Sequence, residues 1–145
     1  MATELWQLSA TELAARIARR ETTARAATES VLARIAEANP QVNALASVTP
    51  EKALQAADAA DAAQARGDAL GPLHGVPVTI KINIDVQGEA TDEGVHDFKH
   101  NIASTDSPLV QSMREAGAIV VGRNNAPAFS LRWFTDNALH GRTLN

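Results

Sequence analysis

Residues 71–81 read Gly71-Pro72-Leu73-His74-Gly75-Val76-Pro77-Val78-Thr79-Ile80-Lys81, and the fold turns on how that stretch is interpreted. Gly71 to Gly75 supply the glycines and proline of a tight loop. Val76 to Ile80 are rich in β-branched side chains, which fit a pleated surface, and predict a strand that ends on Lys81. Downstream, a polar segment from Gly88 to Thr105 gives way to a helix predicted from about Ser107-Pro108, with Val110 and Met113 on its apolar side and Gly117 as its carboxyl-terminal cap. Ala118-Ile119-Val120-Val121 follows as the near-continuous apolar run of a strand buried on both faces. Strand, helix, strand in that order defines the α/β class, a layered sheet with right-handed crossovers wherever strands are parallel.

Upstream, Leu8-Ser9-Ala10-Thr11-Glu12-Leu13 contains a capping box, with the Ser9 hydroxyl facing the Glu12 amide and the Glu12 carboxylate reaching back. The helix it opens carries Leu13 and Ile17 on one face and ends near Arg19-Arg20. A second helix is predicted from Thr22 or Thr23, with Val31, Leu32 and Ile35 on one stripe, stopping at Asn39-Pro40 because proline disfavours helical geometry in the residue before it. These two read as an antiparallel hairpin. Val42 to Val48 reads as a short strand, Thr49-Pro50 as the start of a third helix running to about Arg66-Gly67, and Ala53, Ala56, Ala57, Ala60 and Ala63 as its small-residue face. Residues 1–70 are thus expected to form a helical arm with a short strand, and 71–145 the first part of an α/β core.

The chain has 145 residues, 45% hydrophobic and 21% charged, enough for one domain burying roughly 68–70% of its unfolded surface. Thirteen Lys+Arg against seventeen Asp+Glu give a net charge of −4. That leaves no positive excess to neutralise a phosphate backbone or an anionic membrane, so neither nucleic acid nor membrane is an expected partner. The absence of cysteine excludes disulfides, a thiolate nucleophile and sulfur-ligated zinc. With no apolar run approaching ~18 residues and no signal-like amino terminus, the expected location is the cytoplasm.

Lys81 stands directly after an apolar strand, where an ammonium must be paired, reach solvent or lose its proton. To act as a base at neutral pH it would have to fall about 3 units from an ordinary value near 10.4, roughly 4 kcal/mol of environment, which a half-exposed lysine does not have. A lysine that snorkels from a strand end is the plainer reading of the same spacing. His96 and His100 are four apart with Glu93 nearby, yet Gly94 and the polar composition predict a loop, so no metal site is expected. His74 and His140 each precede glycine and read as loop hydrogen-bonders. No serine has the glycine setting of a nucleophile elbow.

Residues 71–81 resemble the first signature block of the amidase signature family. Ser112 to Asn125 is similar to that family's helix, buried strand and following turn, and Asp136 to Asn145 to the stretch leading into its Gly/Ser-rich loop. The resemblance implies the amino-terminal part of an α/β/α sandwich around a large mixed sheet, preceded by a helical arm that can form a homodimer. It implies hydrolysis of a small-molecule carboxylic amide by a Ser–cis-Ser–Lys triad, without a cofactor. Lys81 falls on the catalytic lysine; Ser130, Leu131 and Trp133 align with positions that wall the acyl pocket in some members, while Leu131 and Trp133 read equally as part of an apolar cluster with Phe129 and Phe134. Both serines of such a triad would lie beyond Asn145, so the chain is expected to be the first third of an amidase, inactive alone. Two alternatives stand beside it: the amide-transferring subunit of a tRNA-dependent glutamyl amidotransferase, and a non-catalytic fragment serving as an assembly module. Two departures appear: Ile82 follows Lys81 where the family commonly has aspartate, and Gly94-Val95 stands where Gly-Ser is common.

Overall fold

The computed structural model describes residues 4–144; Met1 to Thr3 of the expected arm and Asn145 of the expected core lie outside the described residues. Its elements are α1 (Ala10–Ala18), α2 (Ala24–Val42), β1 (Leu45–Val48), α3 (Pro50–Arg66), β2 (Pro77–Lys81), α4 (Pro108–Glu115), β3 (Ile119–Asn124), β4 (Asp136–Asn137) and β5 (Gly141–Arg142). Short 3-10 turns occupy Leu5–Gln7, His96–Phe98 and Ala128–Ser130. Three strands form a sheet in the order β1-β3-β2, and β4 and β5 pair separately. The sheet is mixed. β1 runs antiparallel to β3 with a bulge between Leu45 and Ser47. β2 and β3 advance together, the Ile119 amide bonding the Val76 carbonyl at 2.9 Å and the Ile82 amide the Asn124 carbonyl at 3.1 Å.

The chain divides into two compact units, the first made of Met1–Glu37, Thr49–Val78 and Ser112–Val121. Ser9 opens α1 with the expected capping box, and Leu13, Ile17 and Ala27 bury together against Leu5 and Leu8. A second cluster joins Ala24, Ala53 and Ala57 to Ile119 and Val121, with Val31, Leu32 and Ile35 packed against it. Ala53 and Ala57 are therefore core, whereas Ala56 of the same predicted face is exposed. Small side chains bring the helices close, and close helices need their free backbone groups satisfied by long polar side chains. Gln64, buried on α3, donates to the Ile17 carbonyl at 2.7 Å. Asp61 accepts the Ala24 and Arg25 amides that open α2, at 2.8 and 3.0 Å. The loop at residues 71–75 is tied by the Leu73 and Gly75 amides to the carbonyls of Ala116 and Gly117. Gly117, at φ +91°, must be glycine, because a Cβ there would stand 2.7 Å from the His74 Cα.

The second unit is Ala38–Val48, Thr79–Gln111 and Gly122–Asn145. Three predicted boundaries move within it: the strand expected from Val42 begins only at Leu45, because Val42 still belongs to α2, and the ends of α2 and β3 shift as well. α2 does not stop at Asn39-Pro40 but runs through Pro40 to Val42. Pro40 removes one N–H from the helical ladder, but the Asn43 amide still closes on the Asn39 carbonyl at 2.7 Å, and the Asn39 side chain exchanges two hydrogen bonds with the Leu45 backbone. β3 likewise continues past Val121 through Gly122 and Arg123 to Asn124. Gly122 makes this possible, since a Cβ there would meet the Ser47 carbonyl oxygen of β1 at 2.5 Å.

Asp61→Ala leaves two α2 amides without their acceptor and is expected to cost about 1–3 kcal/mol in urea denaturation. Asp58→Ala, which breaks only the exposed pair with Arg25, should cost about 0–1 kcal/mol. Equal costs would refute the capping role.

Candidate functional site

Side chains alternate across a strand, and at the end of β2 the alternation is clear: Ile80 and Ile82 are buried and Lys81 between them is exposed. Among the described residues the Lys81 ammonium makes no hydrogen bond or ion pair. Its backbone, in contrast, is held. The Lys81 carbonyl accepts from the Ile84 amide at 3.1 Å and from Arg123 Nη2 at 3.2 Å.

Arg123 is 2% exposed. Nη2 also donates to the Ile84 carbonyl at 2.7 Å, Nη1 donates to the Ala90 carbonyl at 3.1 Å, and Nε has no partner among the described residues. Burial lowers the affinity of this guanidinium for its proton, while Glu89, Asp92 and Asp85 raise it; an arginine so placed remains charged. Ile82, Asp92, Arg123 and His140 share the wall of a cavity of about 240 Å³. Asp92 is itself buried, its carboxylate taking the Gly94 amide at 2.8 Å and approaching His140 Nε2 at 2.9 Å. Asn137 orders the turn that carries His140: it accepts from the Leu139 and His140 amides and donates to Asn125 Oδ1 and the Ala126 carbonyl. Gly94 packs so tightly on Asn137 that a Cβ would lie 2.9 Å from its Cγ.

Near this network the backbone takes left-handed conformations at Glu93 (φ 55°), Phe129 (φ 52°) and Ser130 (φ 56°), and the Phe129 amide bonds the Glu93 carbonyl at 3.0 Å. Phe129 meets Phe98 edge to face at 5.9 Å between centroids. The Ser130 hydroxyl oxygen is buried without a hydrogen bond among the described residues, whereas Leu131 and Trp133 project into solvent, 81% and 104% exposed. No hydrogen bond joins Lys81 to Ser130. Of the histidines, His74 Nε2 lies 3.1 Å from the Ala60 carbonyl and His96 Nε2 3.1 Å from that of Ala138. His140 faces a buried carboxylate, a partner that spacing alone did not reveal. Among the described residues no group of three or more His, Asp or Glu side chains could hold a metal ion, and no helix is long and apolar enough to cross a membrane.

The strand β2 thus ends on an outward lysine whose backbone carbonyl is held by the Ile84 amide and by Arg123. The chain matches the Amidase family over residues 26–145, and it belongs to that family. It is 47% identical over 141 residues to an indoleacetamide hydrolase of Bradyrhizobium diazoefficiens, a match that covers 97% of the chain and 27% of that protein. It is 38% identical over 143 residues to a glutamyl-tRNA(Gln) amidotransferase subunit of Thermobifida fusca, covering 99% and 29%. The peptide amidase of Stenotrophomonas maltophilia superposes with a TM-score of 0.87 at 29% identity, covering 96% of the chain and 30% of the other. The chain thus spans under a third of the length of these relatives.

The Glu93 carboxyl is raised above the ordinary carboxylate range, first by burial and then by Asp92 and Asp85. A raised value means the folded chain holds this proton more tightly than the unfolded chain, so ionising Glu93 costs stability at neutral pH and costs none below the ordinary carboxylate range. Glu93→Gln is expected to raise the thermal midpoint at pH 7, by a margin that shrinks as pH is lowered through that range. A margin independent of pH would contradict the assignment.

Proposed function

We propose that this chain supplies the general base of an amide-hydrolysing site, and that the base is Lys81. The observation that carries the reading is the position of Lys81 at the carboxyl end of β2, on the face opposite buried Ile80 and Ile82, in a chain of the amidase family. In a Ser–cis-Ser–Lys mechanism the neutral amine takes a proton from the bridging serine, which takes one from the second serine as its oxygen attacks the amide carbonyl. The amine leaves with a proton, and water then releases the acid. Lysine in open water stays protonated at neutral pH, so the exposed Lys81 needs cover and a serine partner that the described residues do not provide. Ser130, Leu131 and Trp133 would wall the acyl side of a small-molecule amide, the exposed pair giving apolar surface and the buried hydroxyl an uncommitted hydrogen bond. The leading helices would serve as a dimer arm, and a cysteine-free chain of this family fits the cytoplasm. The higher identity to the indoleacetamide hydrolase than to the amidotransferase favours hydrolysis over amide transfer.

Purified residues 1–145 should show no amide turnover, and measurable turnover would overturn the division of labour. Exchanged for the matching segment of the Bradyrhizobium indoleacetamide hydrolase, the same chain should support turnover that Lys81→Ala lowers about 10²–10⁴-fold, the range of a general base. A hybrid indifferent to Lys81→Ala would refute the assignment.

A further inference from the structure

We propose that Arg123 is the positioning residue for Lys81: its buried guanidinium gathers the carbonyls of Lys81, Ile84 and Ala90 and thereby sets the backbone from which the lysine projects. This inference rests on the reading of Lys81 as the base. Three hydrogen bonds, at 3.2, 2.7 and 3.1 Å, converge on one side chain that is 2% exposed. Their acceptors are spread over ten residues, so the planar fork acts as a template for the whole turn after β2. A structural arginine in a sheet needs only its charge answered; this one answers it with carbonyls of the segment that carries Lys81, while Asp85, Glu89 and Asp92 act on it through their field. Its own backbone is set in turn by β1, since Arg123 pairs with Ser47 in the antiparallel register. The central strand therefore aims Lys81 through a side chain, in addition to the ladder bond from Ile82 to Asn124.

Lysine in place of arginine keeps the charge and loses the fork, so Arg123→Lys is the informative variant and Arg123→Met the severe one. In the isolated chain, hydrogen exchange of the Ile84 amide, which bonds the Lys81 carbonyl, should accelerate about tenfold in Arg123→Lys, while amides of α1 remain as protected as before. Unchanged exchange at Ile84, or acceleration throughout the chain, would overturn the clamp. In the hybrid hydrolase, Arg123→Lys should lower kcat by about 100-fold, the scale of a misplacement near 1 Å, with KM within about threefold. In a Lys81→Ala background the same change should cost almost nothing further. An equal loss in both backgrounds, or none in the first, would overturn the positioning role. Full turnover in Lys81→Ala would instead overturn the reading of the base, so the two failures are told apart.

Discussion

A guanidinium cannot shed its charge, and taking one out of water costs several kcal/mol unless its donors are answered. In this chain the answer comes from backbone: Arg123 sits on the central strand of the sheet, and the carbonyls of Lys81, Ile84 and Ala90 turn toward it. That constraint helps set the path of the chain from the end of β2 at Lys81 to Ala90, which bridges Ile102. It also explains why β3 needs glycine just before the arginine. Without a Cβ at Gly122, β1 lies close enough at Ser47 for the ladder to continue past the apolar run.

The first unit solves a different problem with the same chemistry. Half of the buried residues in its two clusters are alanine, which contributes little apolar area per residue and so gains from short distances between backbones more than from side-chain volume. Short distances strand helix-end amides and carbonyls where water is scarce. Asp61 and Gln64 meet that need from α3, one accepting at the start of α2 and the other donating at the end of α1. The polar residues of this unit are thus part of the packing, and the alanine face works because they flank it.

What was legible in the sequence was what depends on neighbours in the chain. The Ser9 capping box, the proline start and glycine end of α3, and the β-branched run into Lys81 all rest on contacts within a few residues, and each appears where those residues put it. The continuation of α2 beyond Pro40 was not legible, because Leu45 stabilises that end by taking up the Asn39 side chain. Nor was the pairing of His140 with Asp92, 48 residues apart. Arg123 left one trace: a charge immediately after four apolar residues and a glycine reads as a turn, yet the same pattern fits a strand whose buried arginine finds its acceptors elsewhere in the chain.

Ile82 gains a meaning from this arrangement. The family commonly places aspartate after the lysine, and an apolar residue there first reads as a loss beside the base. In the structure alternation turns residue 82 away from the Lys81 side chain and into the cavity that Arg123 also lines. A carboxylate at that position would face the guanidinium and compete with the three carbonyls for its donors. With isoleucine, no first-neighbour anion is available from the strand, and the charge is answered by the carbonyls of residues 81, 84 and 90 with Asp85, Glu89 and Asp92 around them. Carbonyls are fixed to the backbone in a way a flexible carboxylate is not, so the three contacts tie the arginine directly to the conformation of the lysine segment. An isoleucine at position 82 thus leaves the buried donors of Arg123 to the carbonyls of Lys81, Ile84 and Ala90.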